Sequence, residues 1–111
     1  MMSDTAAVSK RSGPLAGMRV IELGSTVAGP FCARLMADFG ADVIKVESPD
    51  SGDPYRTYQE GNYSPHFQAY NRNKRSIALN LKSEADKKIF DELVAEADVF
   101  IQNFRPGAAE R

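Results

Sequence analysis

An α/β fold on a parallel sheet is predicted by three features of this 111-residue chain. Short apolar runs of strand character alternate with helical patterns, the signature of strand–helix–strand units. A turn of small residues, Gly24-Ser25-Thr26-Val27-Ala28-Gly29-Pro30, joins the first such run to the first helix. The composition, 42% hydrophobic and 26% charged, is that of an ordinary globular domain.

Taken in order, Met18–Leu23 is the first strand, a run of the buried kind. Gly29 and Pro30 supply a helix start, since proline's missing N–H costs nothing in a first turn. Phe31, Cys32, Leu35, Met36 and Phe39 recur at helical spacing and predict the buried face of that helix. Gly40 closes it, and Val43–Val46 is the second strand, parallel to the first through a right-handed crossover. Ser48 to Ser64, rich in Pro, Gly, Asp, Ser and Tyr, reads as a long functional loop, disorder or a missing partner surface. Ser76–Leu81 is the third strand, with Ile77, Leu79 and Leu81 on one face. Ser83 opens a second helix in the manner of a capping box, with Asp86 in the reciprocal position. Its predicted buried stripe is Ile89, Phe90, Leu93, Val94 and Ala97. Val99–Phe104 is the fourth strand, and Ala108–Arg111 resembles a helix opening. Residues 1–13 read as a disordered tail. With two helices for a sheet that needs cover on both faces, 14–111 reads as the incomplete front part of a larger domain.

Several function classes are disfavoured. A formal net charge of −1 gives no field to recruit nucleic acid or an anionic membrane. No run approaches the ~18 apolar residues of a membrane span, and residues 1–14 lack the apolar core of a secretion signal. One cysteine, Cys32, forms no internal disulfide and suits the cytoplasm. One cysteine and one histidine do not build a metal site.

The small-residue turn lacks G-x-G-x-x-G spacing, so ligand binding there and a plain connection are about equally supported. Glu47, ending the second strand, stands where comparable folds hold a ribose. Asn71-Arg72-Asn73-Lys74-Arg75 is either a solvated charge run or a phosphate clamp. In a parallel sheet Lys82 and Arg105 join the Gly24 turn at one edge. His66 reads as a surface or loop residue, and Cys32 as a small core residue. Tyr55, Tyr58, Tyr63 and Tyr70 either stack on a base or pack the loop.

Pro14–Leu23, Val27–Pro30 and Leu35–Glu47 together resemble the opening of the family III CoA-transferases, which include formyl-CoA transferase, carnitine CoA-transferases and α-methylacyl-CoA racemases. Asn73–Lys82 and Ala97–Gly107 resemble its next two blocks, in order. The resemblance implies a Rossmann-like parallel domain within an interlocked homodimer, with CoA along the carboxyl edge of the sheet. Carried over by position, Val27 and Ala28 line the thiol arm. Leu79, Asn80, Leu81 and Lys82 border the adenosine, and Asn103, Phe104, Arg105 and Arg111 the nucleotide and its phosphates. It implies acyl-CoA and a carboxylic acid acceptor as substrates, with no permanently bound cofactor.

Two positions depart from the family pattern. Val27 stands where formyl-CoA transferase has glutamine, which argues against oxalate or formate. Ser48 replaces an arginine that contacts the nucleotide in some members and shifts that role to Lys82 and Arg111. The family's nucleophile is an aspartate that attacks the thioester, and no aspartate of this chain corresponds to it, so the segment alone is expected to be inactive. The α-methylacyl-CoA racemases of the same family and a non-catalytic nucleotide-binding or interaction remnant are the competing readings.

Overall fold

A computed structural model describes residues 12–50, 52–57 and 64–106 of the chain. Four strands, β1 (Arg19–Glu22), β2 (Asp42–Glu47), β3 (Arg75–Ala78) and β4 (Val99–Ile101), form one sheet in the order β3-β2-β1-β4. All three pairings are parallel, as predicted. Helices α1 (Ala28–Asp38), α2 (Pro65–Asn71) and α3 (Glu84–Ala95) and a 3₁₀ turn, Pro54–Thr57, complete it.

The strand order fixes where a ligand has room. The chain steps from β1 to β2 to β3 on one side, then crosses back to place β4 on the other side of β1. Open α/β sheets bind ligands outside their carboxyl ends at such a reversal, where successive connections leave in opposite directions.

Each sheet face has its own core. Val20, Val43 and Ala41 meet Ala33 and Ala37 of α1 on one face. Ile21, Ile44, Val46 and Leu79 meet Phe90, Leu93 and Val94 of α3 on the other. Ile77, Leu79 and Leu81 share that second face as the sequence indicates, although regular pairing in β3 ends at Ala78. Likewise β4 ends at Ile101 rather than Phe104.

The predicted buried face of α1 holds only at Met36, which packs partly buried against the core. The helix packs through Gly29, Pro30, Ala33 and Ala37, while Phe31, Leu35, Phe39 and Cys32 are exposed, Phe39 at 52%. Small residues at i, i+4 and i+8 let the helix backbone lie close to the sheet. The large apolar residues are thereby turned outward. Ile89 of α3 is similarly exposed, and none of that helix is fully buried.

Helix ends also differ in detail. α1 starts one residue before Gly29, behind Val27, with no side-chain cap. Ser83 caps α3 by accepting from the Asp86 N–H, but the Asp86 carboxylate reaches back to the Asn80 N–H instead of closing the box. α2 was not expected at all, yet its signal is present. Ser64 accepts from the Phe67 N–H at 3.1 Å and Pro65 occupies the first helical position, a strong N-terminal pair. His66 therefore sits on a helix, half-buried. Tyr70 of α2 packs edge-to-face on Phe31 at 5.8 Å, a packing role within the chain. The calls on residues 1–11, Tyr58, Tyr63 and 107–111 lie outside the described residues.

Because α1 lies on the sheet through alanines, Ala33→Leu should overpack that face and destabilise by about 1–3 kcal/mol. Cys32→Ala, one position away and exposed, should stay within about 0.5 kcal/mol of the parent. Urea unfolding of both variants checks this.

Candidate functional site

The carboxyl edge of the sheet is organised by charges that the strands carry inward. Glu22 and Lys45 are register partners on β1 and β2, so both project from the α1 face side by side. Both are buried, at 0% and 1% exposure. Lys45 Nζ donates to Glu22 Oε2 at 2.9 Å and to the Gly24 carbonyl at 3.2 Å. It also pairs with Asp53 Oδ2 at 2.8 Å. Lys74 arrives from the start of β3, donating to Glu22 Oε1 and Asn71 Oδ1 at 2.6 Å each and to the Pro30 carbonyl at 3.0 Å. Burial pushes the Lys74 ammonium down to about 8, against the pull of Glu22. Two buried carboxylates and two buried ammonium groups thus balance in charge, the condition under which ions persist out of water.

Glu47 continues the cluster. Its Oε1 accepts from the Asp53 N–H at 2.8 Å and Arg56 Nε at 2.7 Å, and its Oε2 from Arg56 Nη2 at 2.8 Å and Ser76 Oγ at 2.6 Å. Burial works to raise its pKa, but those donors outweigh it and hold the carboxyl at about 2, against an ordinary 4.5. The position suggested a ribose-binding carboxylate; the structure instead makes Glu47 the anchor of the 52–57 segment. The same correction applies to the 71–75 run. Arg72 meets Asp38 at 3.2 Å, Arg75 meets Asp42 at 2.6 Å, and Lys74 is buried on Glu22. Lys74 and Arg75 thus brace the fold, while Arg72 stays largely in solvent beside Asp38.

The Gly24–Ala28 turn closes over this cluster. Asn103, just after β4, donates to the Ser25 carbonyl at 2.9 Å and accepts from the Ser25 N–H at 3.0 Å. A Cβ on Gly24 would stand 2.8 Å from Asn103 Oδ1 and 3.1 Å from the Gly29 Cα. That close approach is why glycine occupies both ends of the turn. Thr26 lies between them at φ 70°, the left-handed region that β-branched residues avoid.

Between these walls runs a groove of about 350 Å³, within the range of small-molecule sites. Leu23, Gly24 and Ser25 line it after β1, and Glu47 and Ser48 at the end of β2. Asp53 and Pro54 form one side, and Leu79, Asn80, Leu81 and Lys82 follow β3. Phe104 closes it after β4. The sequence-predicted residues therefore divide. Leu79–Lys82 and Phe104 line the groove together. Asn103 holds its wall from behind. Val27, Ala28 and Arg105 are exposed outside the lining, and Arg111 lies beyond the described residues. Lys82 is turned toward the edge by a tight turn in which Asn80 Oδ1 accepts from its N–H at 3.1 Å. Among the described residues, no group of three or more His, Cys, Asp and Glu side chains could hold a metal ion. No helix of the described residues is long and apolar enough to cross a membrane.

Sequence reasoning missed Lys45, Asp53 and Arg56. The available signal was charge at alternate positions of runs otherwise buried on both faces, Glu22 in the first strand and Lys45 and Glu47 in the second.

Residues 15–111 match the profile of CoA-transferase family III. The chain is 47% identical over 105 residues to the acetyl-CoA:oxalate CoA-transferase of Acetobacter aceti, covering 93% of this chain and 27% of that protein. It is 44% identical over 97 residues to the succinyl-CoA:glutarate CoA-transferase of Homo sapiens, covering 85% and 22% respectively. The crystal structure of a CaiB/BaiF family protein from Brucella suis aligns with a TM-score of 0.83 at 41% identity, over 90% of this chain and 28% of that one. The chain spans about a quarter of the length of the relatives it matches.

Two outcomes follow from the charge cluster. Lys45→Met leaves two buried carboxylates facing an apolar chain and should lower unfolding stability by about 3–5 kcal/mol in urea. Since the folded pKa of Glu47 lies below its unfolded value, its contribution is complete above about 4.5 and is lost as pH falls toward about 2. Thermal unfolding across that window should show the loss, and Glu47→Gln should flatten it.

Proposed function

The chain belongs to CoA-transferase family III, and on that premise we propose that it forms the CoA-binding part of an enzyme moving CoA between an acyl-CoA and a carboxylic acid. The observation that supports this most is the groove, because five residues assigned to CoA from sequence alone converge on it: Leu79, Asn80, Leu81, Lys82 and Phe104. Leu79, Leu81 and Phe104 offer apolar surface to a nucleoside, and Lys82 offers a cation to its phosphates. Val27 and Ala28, exposed at the start of α1, take the thiol arm where it leaves the groove.

In this reading an aspartate supplied from outside these residues attacks the thioester carbonyl and expels the CoA thiolate, giving an acyl-aspartyl anhydride. The thiolate then attacks the aspartyl carbonyl and releases the first acid. The acceptor carboxylate attacks the resulting aspartyl-CoA thioester and again expels the thiolate. That thiolate attacks the acceptor's acyl carbon, which frees the aspartate and completes the exchange. The described aspartates suit structural roles: Asp53 lies on Lys45, Asp42 on Arg75, and Asp98 on the Arg19 N–H. This segment alone is then inactive and works within a cytoplasmic, interlocked homodimer. Both named relatives have a short dicarboxylate in their names, and we read the acceptor as a member of that class other than oxalate, which Val27 disfavours. Their names also favour transfer over α-proton exchange.

Calorimetric titration of the chain with CoA tests the binding role. Lys82→Ala should weaken binding roughly three- to tenfold, the effect of one exposed charge-assisted contact. Arg72→Ala, whose partner Asp38 lies on α1 away from the groove, should leave it unchanged. Equal effects of the two substitutions, or no heat with CoA, would refute the assignment.

A further inference from the structure

We propose that Asp53 is a positioning residue that latches the two walls of the groove, setting the Thr26 turn in the shape that the CoA ligand requires. The proposal rests on the CoA-binding reading above and adds to it the device that shapes the site.

Asp53 belongs to the segment that forms one wall, and its backbone is fixed there by the Glu47 carboxylate at 2.8 Å. Its side chain points across the edge of the sheet, 1% exposed, with Oδ2 on Lys45 Nζ at 2.8 Å. The same carboxylate accepts from the Thr26 N–H, at 3.1 Å to Oδ1 and 3.3 Å to Oδ2. Thr26 follows directly on Gly24 and Ser25 of the opposite wall and is held at φ 70°. A threonine there is strained, and such strain persists only where the surroundings impose it. The surroundings here are the Asp53 carboxylate on one side and the Asn103 clamp on Ser25 on the other. Release of the amide would let Thr26 relax toward negative φ. The turn that carries Gly24 and Ser25 of the wall into α1 would then move. Lys45 sets the direction of the Asp53 carboxylate, so the buried cluster is transmitted to the groove through this residue.

The role separates from ordinary stabilisation because the strained residue can be changed independently. Asp53→Ala, which removes the acceptor of the Thr26 N–H, should weaken CoA binding roughly ten- to a hundredfold, the equivalent of the strain such a residue holds, and should also lower the melting temperature. Thr26→Gly in that background removes the penalty for positive φ. The double variant should recover most of the lost CoA affinity while its melting temperature stays low, because Lys45 still lacks the Asp53 carboxylate. Asp53→Glu keeps the charge for Lys45 but displaces the acceptor from Thr26, and serves the same comparison should Asp53→Ala not fold. CoA affinity unchanged by substitution of Asp53, or affinity that follows melting temperature with no recovery by Thr26→Gly, overturns the positioning role and leaves the CoA-binding reading standing. Absence of CoA binding to the unsubstituted chain overturns both.

Discussion

The ion pair between Lys45 and Glu22, sealed beneath the Gly24–Ala28 turn, is the constraint on which the rest of the edge depends. Two charges in adjacent strands at 0–1% exposure are costly to remove from water, and they stay folded only with every strong partner in place. That requirement recruits Lys74 from β3, Asp53 from the segment after β2, and the carbonyls of Gly24 and Pro30. Each partner lies on a different stretch of chain. One buried pair thereby fixes the turn after β1, the segment after β2 and the approach to β3. These are the same stretches whose ends line the groove. An apolar cluster of equal volume would fill the space but would not specify the direction of these loops.

Packing on the α1 face follows from the same arrangement. Glu22, Lys45 and Glu47 occupy the carboxyl-end half of that face, so the helix finds its apolar contacts further toward the amino end of the strands. It does so with Ala33 and Ala37, which bring the helix axis close and turn Phe31, Leu35 and Phe39 outward. The opposite face keeps its buried charge, Asp42 with Arg75, at the amino end of β2 and is covered over the rest by Phe90, Leu93 and Val94 of α3. The two faces thus divide their work, one chiefly apolar and the other carrying the ionic frame of the site.

Much of this was legible in the residues. The four strands, their parallel direction and the carboxyl-edge location follow from apolar runs, of which the first two and the last two are each separated by one helix. The ordered blocks from Pro14 to Gly107 pointed to the family, and Leu79–Lys82 with Phe104 to the groove. Helix orientation was not legible for α1, because hydrophobicity alone ranks Phe31 and Leu35 above Ala33 as core residues. Close approach reverses that order, and closeness is a property of the sheet beneath. The internal use of Lys74 and Arg75 was hidden for a related reason. A charge in a sequence looks the same whether it faces water or a partner 52 residues away. The Ser64-Pro65 helix start was readable from local chemistry and was hidden by the turn-rich stretch before it.

The most direct measurement is an amide-resolved NMR titration of the isotope-labelled chain with CoA. The account predicts saturable shifts concentrated at Gly24–Ser25, Gly52–Asp53, Leu79–Lys82 and Phe104, with little change along the outward face of α1 or at residues 72–75. Shifts centred on Phe31, Leu35 and Phe39, or on the 72–75 segment, would contradict a carboxyl-edge CoA site. So would a spectrum that CoA leaves unchanged.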